Sequence, residues 1–228
     1  MADGTPKKTD YELYIRTDEL LALQKPAAAR ANPDELLFQV MHQVMELWLK
    51  VVLDELSRIA GLLDAGKLAE SAHHLRRVAR IERLLQEQFE VLETMPPADY
   101  HVIRLQALGR GSGQQSPGFN AMLGAGAPVW AAFERARAKR GQELMTLFRD
   151  PRGDYELWLV VQGLMDVDEG FQGWRFHHYE LVKRVIGLEV KSLTDVPAAQ
   201  LRHGVDESFF PELWKQVPKL TRETRPEY

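Results

Sequence analysis

Apolar residues recur along most of this chain at spacings of three and four, and strand-like alternation is scarce, so the pattern predicts an α-helical protein. The first strong helix has a readable start: Asn32 can cap it, Pro33 suits the first helical position, and Glu35 completes an arrangement like a capping box. Leu37, Val44, Leu47, Trp48, Val51, Leu53 and Leu56 carry the periodicity on to about residue 63. A second helix is predicted over residues 68–94. It places Leu75, Val78, Ile81, Leu85, Phe89 and Leu92 on one side and Arg76, Arg77, Arg80 and Arg83 on the other, and Met95-Pro96-Pro97 stops it.

A short helical segment over 98–108 leads into Gly109-Arg110-Gly111-Ser112-Gly113-Gln114-Gln115-Ser116-Pro117-Gly118. Glycine at this density marks backbone that turns sharply or approaches a ligand closely. The next helix is predicted over 129–148 and a turn over 150–153. A further helix begins near 154, is interrupted around 163–170, and continues through Trp174 to 187. The remainder reads as loops and short helices. No internal repeat or low-complexity linker divides the chain, so one domain over residues 1–228 is expected, with 1–31 as an N-terminal segment.

Composition narrows the function. With 228 residues, 45% of them hydrophobic, the chain can bury a substantial core. Its formal net charge of -4 supplies no overall basic field, so no nucleic-acid partner is expected, and the arginine cluster is read as a solvated helix face. Cysteine is absent, which excludes disulfides, thiolate nucleophiles, Cys-bound zinc, iron-sulfur clusters and thiolate- or thioether-held haem. Any haem must then be held non-covalently through histidine. The opening MADGTPKKTD has no apolar core of the signal-peptide kind, and no run is expected to cross a bilayer, so a cytoplasmic protein without a membrane partner is expected.

Helical geometry selects the candidate chemistry. Phe38, His42, Met45 and Leu49 fall at spacings of four, three and four, so His42 projects among apolar neighbours. Phe171, Trp174, His178, Leu181 and Val185 form a second such stripe, which turns His178 inward and His177 outward. His73 and His74 are neighbours that cannot share one face and are read as surface residues. An imidazole on an apolar face needs a hydrogen-bond partner or a metal to offset its burial, and spacing does not choose between the two. Tyr100 and Arg104, four apart just before the glycine loop, project together, and a guanidinium fork there matches the carboxylate of an amino acid.

Several segments resemble the tryptophan 2,3-dioxygenase family. They are Tyr11-Glu12-Leu13-Tyr14-Ile15-Arg16-Thr17-Asp18-Glu19-Leu20-Leu21, then residues 34–50 around Phe38-Gln39-Val40-Met41-His42-Gln43, then residues 91–104 through Met95-Pro96-Pro97-Ala98-Asp99-Tyr100 to Arg104. Leu108-Gly109, Ser112-Gly113-Gln114-Gln115-Ser116, Trp174-Arg175-Phe176-His177-His178 and Phe210-Pro211-Glu212-Leu213-Trp214 continue the likeness in the same order, over about half the chain. The resemblance implies an all-α helical bundle enclosing a b-type haem. It makes His178 the axial ligand to the haem iron, with Trp174 beside the cofactor, and makes His42 the distal catalytic residue that hydrogen-bonds the indole nitrogen. Phe38, Tyr100, Arg104 and Ser112 would bind the substrate, Arg104 through its carboxylate. The implied reaction inserts dioxygen into the indole ring of L-tryptophan or a close relative, giving an N-formylkynurenine-type product.

The same resemblance implies a homo-oligomer, tetramer or dimer, in which Tyr11 and Tyr14 help close a neighbour's pocket. Departures are local. The family's Gly-Thr-Gly-Gly-Ser-Ser-Gly lid is replaced here by Leu188-Glu189-Val190-Lys191-Ser192-Leu193-Thr194-Asp195, Gln114 stands where the family has Phe, and Asn120 stands where it has Arg. These changes spare the implied haem ligand and carboxylate clamp while altering the substrate enclosure. They keep open two other outcomes: monooxygenation of a substituted tryptophan or tyrosine, with peroxide as an alternative oxidant, and haem binding without turnover.

Overall fold

The computed structural model describes residues 8–109, 111, 113–190, 201–202 and 204–225, and among them there is no β-strand. Two short helices, α1 (Asp10–Ile15) and α2 (Thr17–Leu21), precede the long α3 (Glu35–Asp64) and α4 (Leu68–Leu92). Then come α5 (Pro97–Gln106), α6 (Pro117–Lys139), α7 (Leu144–Arg149), the long α8 (Tyr155–Val185), α9 (Pro211–Trp214) and α10 (Gln216–Thr224). The all-α expectation holds.

Helix α3 begins at Glu35, with Asp34 at the N-cap position and no cap bond from its side chain, two residues later than Pro33 would start it, though Asn32 and Glu35 still bond across the start. Asn32 Oδ1 accepts from the Glu35 amide at 3.1 Å, and the Glu35 carboxylate accepts from the Ala31 amide at 2.5 Å while pairing with Lys25 at 2.6 Å. By length and composition α3 is apolar enough to cross a membrane, which corrects the expectation that no run reaches that length. Its apolar stripe is used inside the bundle: Met41, Met45, Leu49, Val52, Leu56, Ile59 and Leu63 are buried, and α3 packs on α4 and α6. The turn at Ala65–Lys67, with Gly66 at φ +74°, reverses the chain so that α4 returns along α3.

Helix α8 packs on α4 in parallel. Leu75 faces Gly163, Glu82 faces Gly170 and Gln86 faces Gly173. A Cβ on Gly163 would fall 2.8 Å from the Leu75 Cβ, so the missing side chain lets the two backbones approach. This explains why α8 runs unbroken through the 163–170 region where the pattern predicts an interruption: the glycines form an interhelix notch. The helix predicted over 129–148 also changes. Helix α6 starts at Pro117, capped by Ser116, which accepts from the Phe119 amide, and ends before Gly141 at φ +65°, so α7 is separate. Gly118, Gly124, Gly126 and Pro128 hide the helical pattern, yet Gly118 fits against Leu49 and Gly126 against Phe209.

The C-terminal elements are tied down by Asp168 on α8. Its carboxylate accepts from the amides of Phe209 and Phe210, at 2.5 and 3.0 Å, and from Trp214 Nε1 at 2.9 Å. On the α3–α4 face, Glu55 is buried and accepts from Arg77 Nη1 and His74 Nδ1. His73 is exposed as expected, but His74 is half-buried against Glu55 and serves as a helix-helix tie.

Candidate active site

Phe38, His42, Met45 and Leu49 of α3 and Trp174, His178, Leu181 and Val185 of α8 all face one cavity, as their spacing predicts. Phe89 of α4 and Tyr100 and Arg104 of α5 complete its wall, and Ser116 and Phe119 close the side toward α6. The non-atom space measures about 1230 Å³ with the open mouth included. Its lining is apolar apart from a few groups, the arrangement expected of a pocket that encloses a ligand and orients it with a small number of polar contacts.

The two imidazoles differ in role. His42 Nδ1 lies 2.7 Å from the Phe38 carbonyl one turn back. A carbonyl only accepts, so Nδ1 carries the proton and Nε2 keeps a lone pair. Burial lowers the His42 pKa, opposed by the Phe38 carbonyl and by Glu46, so the ring is neutral at neutral pH. The Phe38 ring packs on it with centroids 4.1 Å apart.

His178 is enclosed more deeply, and burial, reinforced by His42, pushes its pKa down to about 4. It makes no hydrogen bond among the described residues and is held by rings: Trp174 stacks on it at 5.6 Å and 14°, and Phe89 lies at 6.0 Å. A neutral imidazole that titrates this low keeps a nitrogen lone pair available across the physiological range. His42 and His178 line the same cavity from different helices, α3 and α8. His177 hydrogen-bonds the Gly173 carbonyl at 2.8 Å and does not line the cavity, so the adjacent histidines separate as expected.

Tyr100 sits 6.2 Å from the Phe38 ring, its pKa raised by burial against the opposing influence of Arg104. Arg104 lines the same cavity one turn later. Ser112 and the greater part of the expected lid, residues 191–195, lie outside the described residues. Some wall residues escape the sequence pattern, Phe119 among them. Phe89 counts there only as core, Ser116 only as part of a loop, and Glu46 was findable as the residue one turn beyond His42 on the same face.

Residues 3–124 match the tryptophan 2,3-dioxygenase family model. The chain is also 32% identical to the tryptophan 2,3-dioxygenase of Saccharopolyspora erythraea, over 91% of this chain and 92% of that protein. The chain belongs to the tryptophan 2,3-dioxygenase family. Proteins of the same name from Serratia proteamaculans, at 30% identity over 91% of each chain, and Myxococcus xanthus, at 29% over 94% of this chain and 90% of that one, agree. The match to the Saccharopolyspora protein spans 258 positions, more than the 228 residues here, so this tryptophan 2,3-dioxygenase family member is shortened within the matched region.

The donor set fits the haem that the family implies. A flat apolar macrocycle needs an apolar slot and its iron needs a neutral nitrogen, and His178 offers one from a cavity wall of Phe, Trp, Leu and Val side chains. The buried Trp174 Nε1, without a hydrogen-bond partner among the described residues, is a further donor on that wall.

Proposed function

We propose that this chain is a haem b-dependent oxygenase, a single domain over residues 1–228, that inserts dioxygen into the indole ring of L-tryptophan or a close indole amino acid. The observation that carries the reading is the convergence of His42, His178 and Arg104 on one mainly apolar cavity. His178 would hold the iron, with Trp174 and Phe89 fixing the plane of its ring. Haem, when bound, supplies the iron at which dioxygen is activated.

The remaining work belongs to the chain. Arg104 pairs with the substrate carboxylate, Tyr100 and Phe38 pack on the aromatic part, and Ser112 of the glycine loop joins the substrate contacts. His42 Nε2, its tautomer set by the Phe38 carbonyl, accepts the hydrogen bond of the indole N–H and so decides which edge of the ring faces the oxidant. The apolar wall excludes water from the reacting atoms.

The N-terminal helices support an oligomeric reading. Helices α1 and α2 bury no residue, and Tyr11, Leu13, Tyr14, Leu21 and Leu23 are exposed, an apolar surface suited to a second copy of the chain. A homotetramer or dimer in which this segment completes a neighbour's pocket accounts for it.

A second reading, monooxygenation of a substituted tryptophan or a tyrosine, rests on one observation. Leu188-Glu189-Val190-Lys191-Ser192-Leu193-Thr194-Asp195 stands where the family has its Gly-Thr-Gly-Gly-Ser-Ser-Gly lid, beyond the family-model match, which ends at residue 124. Reduced, haem-loaded protein offered L-tryptophan, a ring-methylated tryptophan or L-tyrosine with dioxygen or peroxide separates the readings by mass spectrometry. Two oxygen atoms added to tryptophan support the first, one added to any substrate supports the second, and none on any substrate leaves a haem-binding protein without turnover. A protein that takes up no hemin overturns all three.

A further inference from the structure

Glu46 is the one carboxylate among the described residues lining the cavity. It lies one turn beyond His42 on α3 and is aimed by two donors from the start of α6: the Ser116 hydroxyl donates to Oε1, and the Gly118 amide donates to Oε2 at 3.0 Å. The position opposite is spent on a glycine, since a Cβ on Gly118 would fall 2.6 Å from Glu46 Oε2. Both donors are neutral, and no lysine or arginine pairs with Glu46 among the described residues. Lys50, one turn further on, is exposed. A mainly apolar cavity thus has a cation, Arg104, and an anion, Glu46, among its lining residues. A carboxylate bordering such a space is stabilised by an incoming positive charge, and an ammonium entering it needs a counter-charge to offset lost hydration.

We propose that Glu46 forms the anionic subsite that receives the α-ammonium group of the amino-acid substrate while Arg104 takes its carboxylate. The inference rests on the amino-acid reading above and deepens it: the cavity selects a zwitterion over an acid of the same shape. Ser116 and Gly118 keep the carboxylate oriented, so the start of α6 is part of the subsite. Glu46 then serves substrate recognition, distinct from the ring-orienting contact of His42.

Calorimetric titration of the haem-loaded protein with L-tryptophan and with indole-3-propionate, its des-amino analogue, tests this. Glu46→Gln is expected to weaken L-tryptophan binding roughly 10- to 100-fold, the loss of one charge-assisted hydrogen bond, and to leave indole-3-propionate unchanged. Equal effects on both ligands, or no effect on L-tryptophan, overturn the proposal and reduce Glu46 to a support for α6. Should Glu46→Gln fail to fold, the native protein decides: tenfold or greater preference for L-tryptophan over the analogue supports the subsite, and equal affinity overturns it. Native protein that binds neither ligand removes the amino-acid reading itself, a different result from a variant that fails to discriminate.

Discussion

His178 stacks on Trp174, four residues earlier on α8, with ring centroids 5.6 Å apart and planes inclined by 14°. One turn of helix separates them, so the same apolar stripe that buries Trp174 also sets the plane in which the histidine nitrogen faces the cavity. His177, one residue back, is turned to its own i−4 carbonyl.

From this relationship the histidines are expected to behave differently. His178→Ala should abolish haem retention, and His177→Ala should leave it intact, as read from the Soret band of purified protein after hemin loading and desalting. Equal loss from both variants would reject the assignment of faces.

Arg104→Ala should weaken L-tryptophan binding roughly 10- to 100-fold, the cost of losing a charged hydrogen-bond pair, with haem occupancy unchanged. Equilibrium titration of the loaded protein measures it, and unchanged affinity removes the carboxylate clamp.

Glu82 predicts a pH dependence of stability. It is buried with both carboxyl oxygens lacking hydrogen-bond partners among the described residues, and burial, with Asp168 adding to it, holds its pKa well above the ordinary 4.5. The folded protein therefore keeps a proton that the unfolded chain releases near 4.5. Glu82's contribution is fully present below that pH and is lost as pH rises toward the folded value, at about 1.4 kcal/mol per pH unit. Glu82→Gln, which cannot ionise, should flatten this slope, and urea denaturation at pH 5 and pH 8 should show the variant gaining on the native protein at the higher pH. Parallel slopes would mean that Glu82 is paired and ionised.

Gly163→Ala tests the α4–α8 notch. Its new Cβ would meet the Leu75 Cβ at 2.8 Å, an atom that moves only with its backbone, so an overpacking cost of roughly 1–3 kcal/mol should exceed the ~1 kcal/mol gained in helix propensity. Thermal unfolding should fall by several degrees. A rise would show that the helices can separate without loss.

Local pattern made the main elements and the central pair of histidines readable. Periodicity alone placed Phe38 beside His42 and Trp174 beside His178, because a helix fixes which residues share a face. The α6 boundaries and the continuity of α8 were illegible for a common reason: Gly118, Gly126, Gly163 and Gly170 read as breaks until the side chains that fill their notches are seen. The face of Glu46 could be read from its place one turn beyond His42, but its bonding could not, because its partners Ser116 and Gly118 are about 70 residues away in sequence.

Sequence by itself determined the helical class, the inward faces of α3 and α8, and the kinship carried by residues 91–104 and 174–178, since each depends on spacing or residue identity along the chain. Only the tertiary structure decided that His42 and His178, on separate helices, share one cavity, which tautomer His42 adopts, and where Glu46 points. Those follow from distances between segments remote in sequence, which helical periodicity does not encode.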